Sequence, residues 1–404
     1  MRILKTYEDA MQVVTECLEK RVVAKRPALA GHGMRSLPHE VDGPWEMTPE
    51  SAQRTLNYIF NVIHHTCYIL CVTNSVPELF KIEPPGIPGY YESAIRKTMK
   101  QKPKLAKTLK NKPLRVMQCV IKPRKAQSET SQEYERFIGQ LEYTLPNGVY
   151  ILNLTDAVIL RRDGRNPWDP PSQNLSQTKL DKYLPILGGS GAVGYLDVPM
   201  PNYDDVRIAL GYDRIPNYET DWSAKKNVVV FRGGPTGCGT TSRTNMRLRV
   251  AEMMSSTLDV GLVRVGSPNP KFDPERGISF IETGVQPVPR VSMEEQSKYK
   301  YILHIDGNVA AYRLLNTMLT GSLILKVKGV YTLWTEHILE DGVHYVSVKE
   351  DLSNLNQVFD WCTANQAKCK SIAKKGKEFA EKALTLSYLS ASFAKLLWTI
   401  KKFT

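Results

Sequence analysis

Short apolar runs alternate with helical segments along the chain from Lys225 onward, and this alternation is the strongest constraint on its fold. The apolar runs are NVVVFRG, LDVGLVRV, YILHID and SLILKV, and the segments between them are TSRTNMRLRVAEMM, SMEEQSKYK and AYRLLNTMLT. Such runs are typical of strands buried on both faces, which pair in parallel through right-handed crossovers. The sequence therefore predicts an α/β fold in which residues 225 to about 385 form a Rossmann-like domain.

The first half of the chain has a less regular pattern. Its first 90 residues look helical and irregular, with several prolines marking loops, and GVYILNLTDAVIL at 148–160 predicts a strand followed by turn residues. A length of 404 residues suits about two domains. We predict an N-terminal domain at 1–220, a Rossmann-like domain at 221–385 and a closing helix at 386–404.

Positive charge is concentrated in one segment. The formal net charge is +13, and residues 96–125 hold twelve Lys and Arg without an acidic residue. Such a block attracts polyanions, including acidic glycans, anionic membrane faces and nucleic acid. Because no aromatic residues are interleaved, a solvated basic helix and loop is preferred to specific nucleic-acid recognition, and nonspecific polyanion contact is expected.

Three features indicate a cytoplasmic chain. No segment approaches the roughly 18 consecutive apolar residues of a membrane span, and the N-terminal segment carries four acidic residues that a secretory signal would exclude. Seven cysteines without regular spacing suit free thiols in a reducing compartment better than a disulfide framework.

One cluster has the residue types of a metal site. His64, His65, Cys67 and Cys71 stand close in the chain, and on a helix Cys67 and Cys71 would share a face. The two histidines would point away from the cysteine pair on any regular helix, and the run is apolar. Packed core residues are therefore the preferred interpretation, and we predict no metal ion.

A glycine-rich loop follows the first of the buried strands. GGPTGCGTTS at 233–242 matches a nucleotide-triphosphate loop except that Thr240 stands where the lysine would be. A strand precedes the loop, and Thr240-Thr241 is predicted to open a helix, so backbone N–H groups would face an anion. Arg232 precedes the loop, and three arginines follow it, at positions 243, 247 and 249. Guanidinium groups suit a diphosphate, whereas the alternative is a glycine turn with nothing bound.

A second loop repeats this arrangement. The strand YILHID ends in Asp306-Gly307-Asn308, followed by the small residues Val309, Ala310 and Ala311, with Arg313 one turn further on. Small side chains let a ligand approach backbone amides closely. Two such loops on one sheet predict a single diphosphate site.

Three blocks together resemble glycosyltransferase family 90, which contains the protein O-glucosyltransferases and the fungal capsule-associated xylosyltransferases. They are FRGGPTG, KYKYILHIDGNVAAYRLLNTMLTGSLILKVKG and VHYVSVKEDLSNL, in matching order and spacing over roughly residues 145–385. The resemblance implies a GT-B-type fold of two Rossmann-like domains, with a C-terminal helix packing back across them. It also implies a UDP-sugar held mainly by the second domain, inversion at the anomeric carbon, and no metal or other cofactor.

The resemblance assigns roles to individual residues. It implies contacts to the nucleotide diphosphate from two sets, which are Arg232, Gly233, Gly234, Thr236 and Gly237 in the first loop, and Val309, Ala310, Ala311 and Arg313 in the second. An inverting transfer needs a general base, and the family position for it resembles Asp156. The family's protein-modifying members commonly continue with Asp-Tyr-Pro, whereas here Ala157 and Val158 follow, so Asp163 is an alternative base.

The sequence thus predicts a glycosyltransferase that moves a hexose or pentose from a UDP-sugar to a hydroxyl of a protein or glycan. To the donor contacts above we add Thr240, Thr241, Arg247, Asp306, Gly307 and Asn308. One alternative is an inactive protein of this fold that binds nucleic acid or another polyanion through residues 96–125. The other is a phosphotransferase with a triphosphate loop, against which Thr240 argues.

Overall fold

The structure is a computed structural model, and part of the chain is described in it. The described residues are 1–20, 45–84, 128–164, 167, 181–213, 218, 220–265, 271–273, 275–402 and 404. The basic segment at 96–125, and with it the predicted polyanion contact, lies outside them.

Within its described residues, the N-terminal half contains a mixed sheet and four α-helices. Its strands are β1 (Arg2–Leu4), β2 (Cys67–Thr73), β3 (Val76–Ile82), β4 (Gly148–Asn153), β5 (Ile186–Gly188), β6 (Gly191–Ala192) and β7 (Val198–Pro199). Its α-helices are α1 (Tyr7–Glu19), α2 (Pro49–Asn57), which continues as a π-helix (Tyr58–Ile63), α3 (Ser128–Gly139) and α4 (Tyr203–Ala209).

The strand order of this first sheet is β1-β3-β2-β4-β5-β7. Strands β4, β5 and β7 run parallel, whereas β2 pairs antiparallel with both β3 and β4. The sheet therefore differs from the parallel Rossmann-like sheet that the resemblance implied for this half. The prediction of a helical and irregular start was also wrong in part, because β1, β2 and β3 lie within the first 90 residues.

The C-terminal half contains a parallel sheet covered by helices. Its strands are β8 (Lys226–Gly233), β9 (Leu258–Leu262), β10 (Lys271–Asp273), β11 (Gly277–Ser279), β12 (Tyr299–His304), β13 (Leu323–Val327), β14 (Tyr331–Thr332) and β15 (Val346–Val348). Its helices are α5 (Met246–Ala251), α6 (Met293–Gln296), α7 (Leu314–Met318), α8 (Leu355–Ala364), α9 (Gln366–Ala383) and α10 (Leu386–Lys401).

This second sheet has the order β15-β13-β12-β8-β9, and all its neighbours pair in parallel. Side chains alternate between two apolar layers, with Val230 and Ile302 in one and Phe231 and Leu303 in the other. The four strands predicted from the apolar runs are confirmed, and burial on both faces explains their lack of polar alternation.

Several contacts join the two halves. Strands β6 and β14 pair antiparallel, and Trp334 Nε1 donates to Asp205 Oδ2 at 2.7 Å. Helix α10 packs against the N-terminal half, where Trp398 Nε1 donates to Thr144 O at 2.9 Å. Within the described ranges, no single helix has both the length and the apolar character of a membrane span; α9 and α10 would reach it together, but they are bent by 80°.

The expectation of free thiols throughout was wrong. Cys17 and Cys71 form a disulfide between α1 and β2, and Cys238 in the first glycine loop is also disulfide-bonded. Cys67, Cys362 and Cys369 are free and buried. The cytoplasmic location stays a prediction, but its cysteine argument no longer holds.

The residues of the candidate metal cluster have other partners in the structure. Cys67 and Cys71 lie on a strand rather than on the helix that was considered, and Cys71 is bonded to Cys17. His65 Nε2 lies 3.1 Å from Asn153 Oδ1. In the part of the chain that the structure describes, no three His, Cys, Asp or Glu residues are grouped closely enough to hold a metal ion.

Candidate active site

The two predicted loops lie side by side at the carboxyl edge of the second sheet. The first loop (residues 234–245) follows β8, and the second loop (residues 305–313) follows its neighbour β12. The strand order reverses between β8 and β12, because the chain extends the sheet first toward β9 and then toward β13. Ligands of open α/β sheets bind at such a reversal, outside the carboxyl ends of the strands. The topology therefore makes this edge the candidate ligand site.

Hydrogen bonds and close packing tie the first loop to the second. The Gly237 N–H donates to Asn308 Oδ1 at 2.8 Å, and the Tyr331 hydroxyl donates to Asn308 O at 2.8 Å. A Cβ on Gly307 would lie 2.8 Å from Thr236 Oγ1, so only glycine fits there without a shift. The structure thus brings these loop residues together, although the Gly237 amide is bound within the protein.

Arg247, on α5, bonds to both loops. Its Nε donates to Asp306 O at 2.9 Å and its Nη2 to Ile305 O at 2.8 Å, while Nη1 donates to Thr236 Oγ1 at 2.7 Å. Burial, together with the charge of Arg313, lowers the pKa of Arg247 to about 9. Arg247 is therefore a positioning group, and the oxygens that bind its charge in the described structure are neutral.

The hairpin of β10 and β11 supports the first loop. Lys271 Nζ donates to Pro235 O and, at 3.1 Å, to Gly237 O, and burial lowers the Lys271 pKa to about 8. Asp273 Oδ2 accepts hydrogen bonds from Thr240 N at 2.7 Å and from Thr240 Oγ1 at 2.8 Å. Thr240 is fully buried. The amide and hydroxyl of Thr240 are therefore both bound by Asp273, and its predicted contact with a ligand stays a prediction.

The helices after both loops begin later than predicted. Helix α5 begins at Met246. Its N-cap is Asn245, whose side chain accepts a hydrogen bond from the Arg247 N–H at 3.0 Å. Thr241 instead lies in a turn, with Oγ1 3.1 Å from Thr244 Oγ1. In the second loop, α7 begins only at Leu314. The predicted placement of a helix N-terminus at Thr240-Thr241 was therefore wrong.

The arginines flanking the loops have different partners. Arg313 is largely buried and donates from Nη2 to Arg232 O at 3.2 Å, and burial lowers its pKa. Arg232 instead forms an ion pair with Asp259 at 2.6 Å, and Tyr299 donates to the other Asp259 oxygen. The charge of the Arg232 side chain is thus neutralised by Asp259 of β9, and its predicted contact with a diphosphate stays a prediction.

The second loop is closed by its own hydrogen bonds. Asp306 Oδ1 accepts from Ala311 N at 3.0 Å, and Gly307 N donates to Val309 O at 2.9 Å. Burial raises the Asp306 pKa to about 6. The side chains of Val309 and Ala310 are buried, so only backbone atoms of this pair are suited to a ligand contact.

Two half-buried glycines connect β8 to the first loop, with Gly233 as the last residue of β8 and Gly234 as the first of the loop. A Cβ on Gly233 would lie 2.8 Å from Phe231 Cζ, and one on Gly234 would lie 3.3 Å from Nε of the exposed Arg264. Glycine therefore keeps the backbone at the end of β8 open toward the carboxyl edge.

Asp156 lies just beyond the carboxyl end of β4, in the first sheet, and its side chain is exposed. Its negative charge contributes to raising the pKa of Asp204 and that of Tyr312, so these three side chains share one electrostatic environment. The charge of Arg313 acts on Asp204 in the opposite direction. The alternative base Asp163 is buried in an ion pair with Arg161 at 2.9 Å. The geometry therefore favours Asp156 over Asp163 as the accessible carboxylate.

The carboxyl edges of the two sheets meet next to Asp156. A Cβ on Gly189, which follows β5, would lie 2.6 Å from the hydroxyl of Tyr312 in the second loop. Strand β5 is the parallel neighbour of β4, and Asp156 lies just beyond the carboxyl end of β4. The close approach of Gly189 and Tyr312 thus brings the candidate base Asp156 and the second loop to the same part of the molecule.

Sequence reasoning missed several residues of this site. Lys271 and Asp273 lie some thirty residues beyond the loop that they support, and nothing in their local pattern connects them with it. Tyr312 was passed over between the predicted contacts Ala311 and Arg313, although its position in the same loop was an available signal.

Comparisons with known proteins identify the family of the chain. A sequence model described as Glycosyl transferase family 90 matches residues 168–403, more than half of the chain. The chain is similar to Uncharacterized protein 179R of Invertebrate iridescent virus 6, with 35% identity over 315 residues, which cover 62% of this chain and 27% of that protein.

Two relatives have functional names. Protein O-glucosyltransferase 3 of Homo sapiens is 28% identical over 262 residues, covering 62% of this chain and 49% of the relative. Protein O-glucosyltransferase 1 of Mus musculus is 30% identical over 284 residues, covering 67% of this chain and 66% of the relative. The chain thus spans about a quarter of the viral relative and half to two thirds of these two. On the extent of the family match, the chain belongs to glycosyl transferase family 90.

Proposed function

We propose that this chain transfers a hexose or pentose from a UDP-sugar to a hydroxyl group of a protein or glycan, with inversion and without a metal ion. The observation that carries the proposal is a set of three cations, one buried and two half-buried, near the carboxyl ends of β8 and β12. Arg247, Lys271 and Arg313 all donate to neutral oxygens, and burial lowers the pKa of each. A diphosphate would supply the missing negative charge.

Arg247, Lys271 and Arg313, together with the two loops, form the proposed donor cradle, and the donor contacts follow from it. Arg313, with the backbone around Gly233, Gly234 and Ala311, would hold the diphosphate, while Arg247 and Lys271 keep the two loops in place and add positive charge. These cations would neutralise the charge that develops on the leaving UDP, which is the role a metal ion has in other transferases. Metal independence is supported by this supply of charge.

Asp156 is the proposed general base. It would take the proton of the acceptor hydroxyl while that oxygen attacks C1 of the sugar and the bond from C1 to the diphosphate oxygen breaks. Attack on the face opposite the leaving group inverts C1. An exposed carboxylate near the second loop suits this role, whereas Asp163 is held by Arg161.

The proposed enzyme has two domains and a closing helix. Residues 1–220 would form the acceptor-side domain and residues 221–385 the donor-side domain of a GT-B-type enzyme, with 386–404 as the closing helix. The parallel second sheet and the contact of Trp398 with Thr144 support it. The names of the O-glucosyltransferase relatives make a protein hydroxyl and UDP-glucose the first acceptor and donor to test.

The test is calorimetric binding of UDP, GDP and ATP, with and without Mg²⁺, to the wild type and to Arg313→Ala. We expect UDP to bind without Mg²⁺ and the variant to bind it about 10- to 100-fold more weakly, because a charged hydrogen bond is worth about 1.5–3 kcal/mol. Arg243→Ala is the matched control, since Arg243 is exposed and paired with Glu275. Absence of UDP binding, or Mg²⁺-dependent ATP hydrolysis, would overturn the proposal.

A further inference from the structure

We propose that His65 is a positioning residue for Asp156, which it acts on through the side chains of Asn153 and Thr155. The inference rests on the function proposed above. His65 was considered in the sequence only as a metal ligand or a packed core residue, and the hydrogen bonds of its ring point to a third role.

His65 is placed by the end of a helix and the start of a strand. The π-helix after α2 ends at Ile63, its C-cap His64 has the left-handed φ of 46°, and β2 begins at Cys67. Strand β2 is the antiparallel neighbour of β4, at whose carboxyl end Asn153 lies. His65 is completely buried. The pairing of β2 with β4 thus places the His65 ring beside the turn that follows β4.

The ring contacts two side chains of that turn. His65 Nε2 lies 3.1 Å from Asn153 Oδ1 and 3.0 Å from Thr155 Oγ1. Asn153 Nδ2 donates to Ala157 O, which fixes the amide so that its oxygen faces the histidine. An amide oxygen can only accept, so His65 Nε2 must carry the hydrogen and donate it.

The same side chains close the turn on both sides of Asp156. Thr155 donates to Asn153 Oδ1 from its N–H at 3.2 Å and from its hydroxyl at 2.8 Å. The Ala157 N–H in turn donates to Thr155 Oγ1 at 3.3 Å. Both chain neighbours of Asp156 are therefore held by the Asn153–Thr155 pair, which the His65 ring holds in turn.

This arrangement fixes the backbone of Asp156 while its carboxylate stays exposed. Burial lowers the His65 pKa to about 4, so the ring is a neutral donor at working pH and moves no proton. Its contribution is orientation, and the rate of a reaction that needs a base within hydrogen-bond reach falls steeply when that base is displaced by about 1 Å.

The test compares two substitutions at His65. His65→Gln keeps a nitrogen donor near the position of Nε2, whereas His65→Phe keeps the ring volume and removes the donor. The assay is acceptor-independent hydrolysis of UDP-glucose, in which water attacks C1 and Asp156 accepts its proton. We expect His65→Phe to lower kcat about 10- to 100-fold and His65→Gln to retain most of it, with the Kd for UDP unchanged in both.

Thr155 supplies a second pair of variants, which covers the case in which His65→Phe does not fold. Thr155→Val should lower kcat and Thr155→Ser should retain it, again at constant UDP affinity. Normal kcat in both His65→Phe and Thr155→Val, or a loss that Gln and Ser fail to rescue, overturns the positioning role. A wild type that binds no UDP and hydrolyses no UDP-glucose instead refutes the proposed function itself.

Discussion

Individual cations at the candidate site differ in what neutralises them. Arg232 extends from the face of β8 that Val230 occupies and meets Asp259 of β9, whereas Arg247 and Arg313 meet backbone carbonyls. The sequence placed all three near the loops but could not separate them, because the partner of each depends on pairing between distant strands. Arg247 and Arg313 have neutral partners, so a bound anion would stabilise their charged forms more than that of Arg232.

Lys271 should make UDP binding depend on pH. Burial lowers its pKa from an ordinary 10.5 to about 8, and the charges of Arg247 and Arg264 act in the same direction. A bound diphosphate would raise that pKa again, so affinity should fall several-fold as the pH rises from about 7.5 to 8.5, with proton uptake on binding. Calorimetry in buffers of different ionisation enthalpy measures both quantities.

Lys225 is the matched control for this prediction. Its pKa is likewise lowered to about 8 by burial, but it lies at the opposite end of β8 and bonds to Thr320 O and Ser322 Oγ. For both lysines the folded pKa lies below the unfolded one, so each destabilises the fold below pH 8, and that cost is relieved as the pH rises toward 10.5. Lys271→Met should abolish the pH dependence of UDP affinity, and Lys225→Met should leave it intact. The reverse result would contradict the assignment.

The first loop shows how an element can be located correctly and described wrongly. The strand end and the glycines were predicted, but the Thr-Ser start of the next segment indicated a helix five residues too early. Gly237 and Gly239 have φ values of 107° and 83°, so the chain turns away from helical geometry after β8 and reaches it only past Asn245. Glycine adopts positive and negative φ about equally readily, so the sequence alone did not show that the chain leaves helical geometry here and that α5 begins only at Met246.

Gly239→Ala should destabilise the protein far more than Gly211→Ala. Both glycines have left-handed φ, 83° and 76°, which costs an alanine about 1–2 kcal/mol. At Gly239 the added Cβ would also lie 2.4 Å from Thr244 O, which adds about 1–3 kcal/mol of overpacking, whereas at Gly211 it meets nothing within 4 Å.

Urea unfolding and UDP calorimetry on the two variants check this. Gly239→Ala should lower the free energy of unfolding by about 2–5 kcal/mol and weaken UDP binding, because the Gly237 N–H and Asn308 would separate. Gly211→Ala should bind UDP normally. Equal unfolding midpoints would show that the first loop is not packed as the structure has it.

The β2–β3 hairpin is an element that the sequence analysis missed. Its turn residues Asn74 and Ser75 have φ values of 52° and 65°, a turn of the kind that glycine usually marks. Without that glycine, the apolar run from 58 to 72 could not be divided into a π-helix and a strand. Short apolar runs of this kind are ambiguous between helix and strand.

For the molecule as a whole, periodicity predicted the second sheet well and the first sheet poorly. Parallel strands buried on both faces give continuous apolar runs, and those runs fixed the order of elements after Lys225. The first sheet mixes directions and is built from segments that are far apart in sequence, such as β1 and β3. The candidate site could be predicted only as two loops, because Asp156 and Gly189 follow strands of that first sheet, whose pairing the sequence did not indicate.

The disulfide between Cys17 and Cys71 should stabilise the N-terminal half. It joins α1 to β2 across 54 residues of chain, and closing a loop of this length stabilises a fold by about 4 kcal/mol in the chain-entropy account, with about 2–4 typically measured. Cys17→Ala/Cys71→Ala should therefore lower the free energy of unfolding by about 2–4 kcal/mol, while the UDP affinity of the folded protein stays unchanged because the donor cradle lies in the second sheet. Cys67→Ala, a buried free cysteine on the same strand, controls for the lost side-chain volume and should cost less. Thiol counting on the denatured, unreduced protein checks the bond directly: seven reactive thiols would contradict it and restore the reducing environment that the cysteine spacing had suggested.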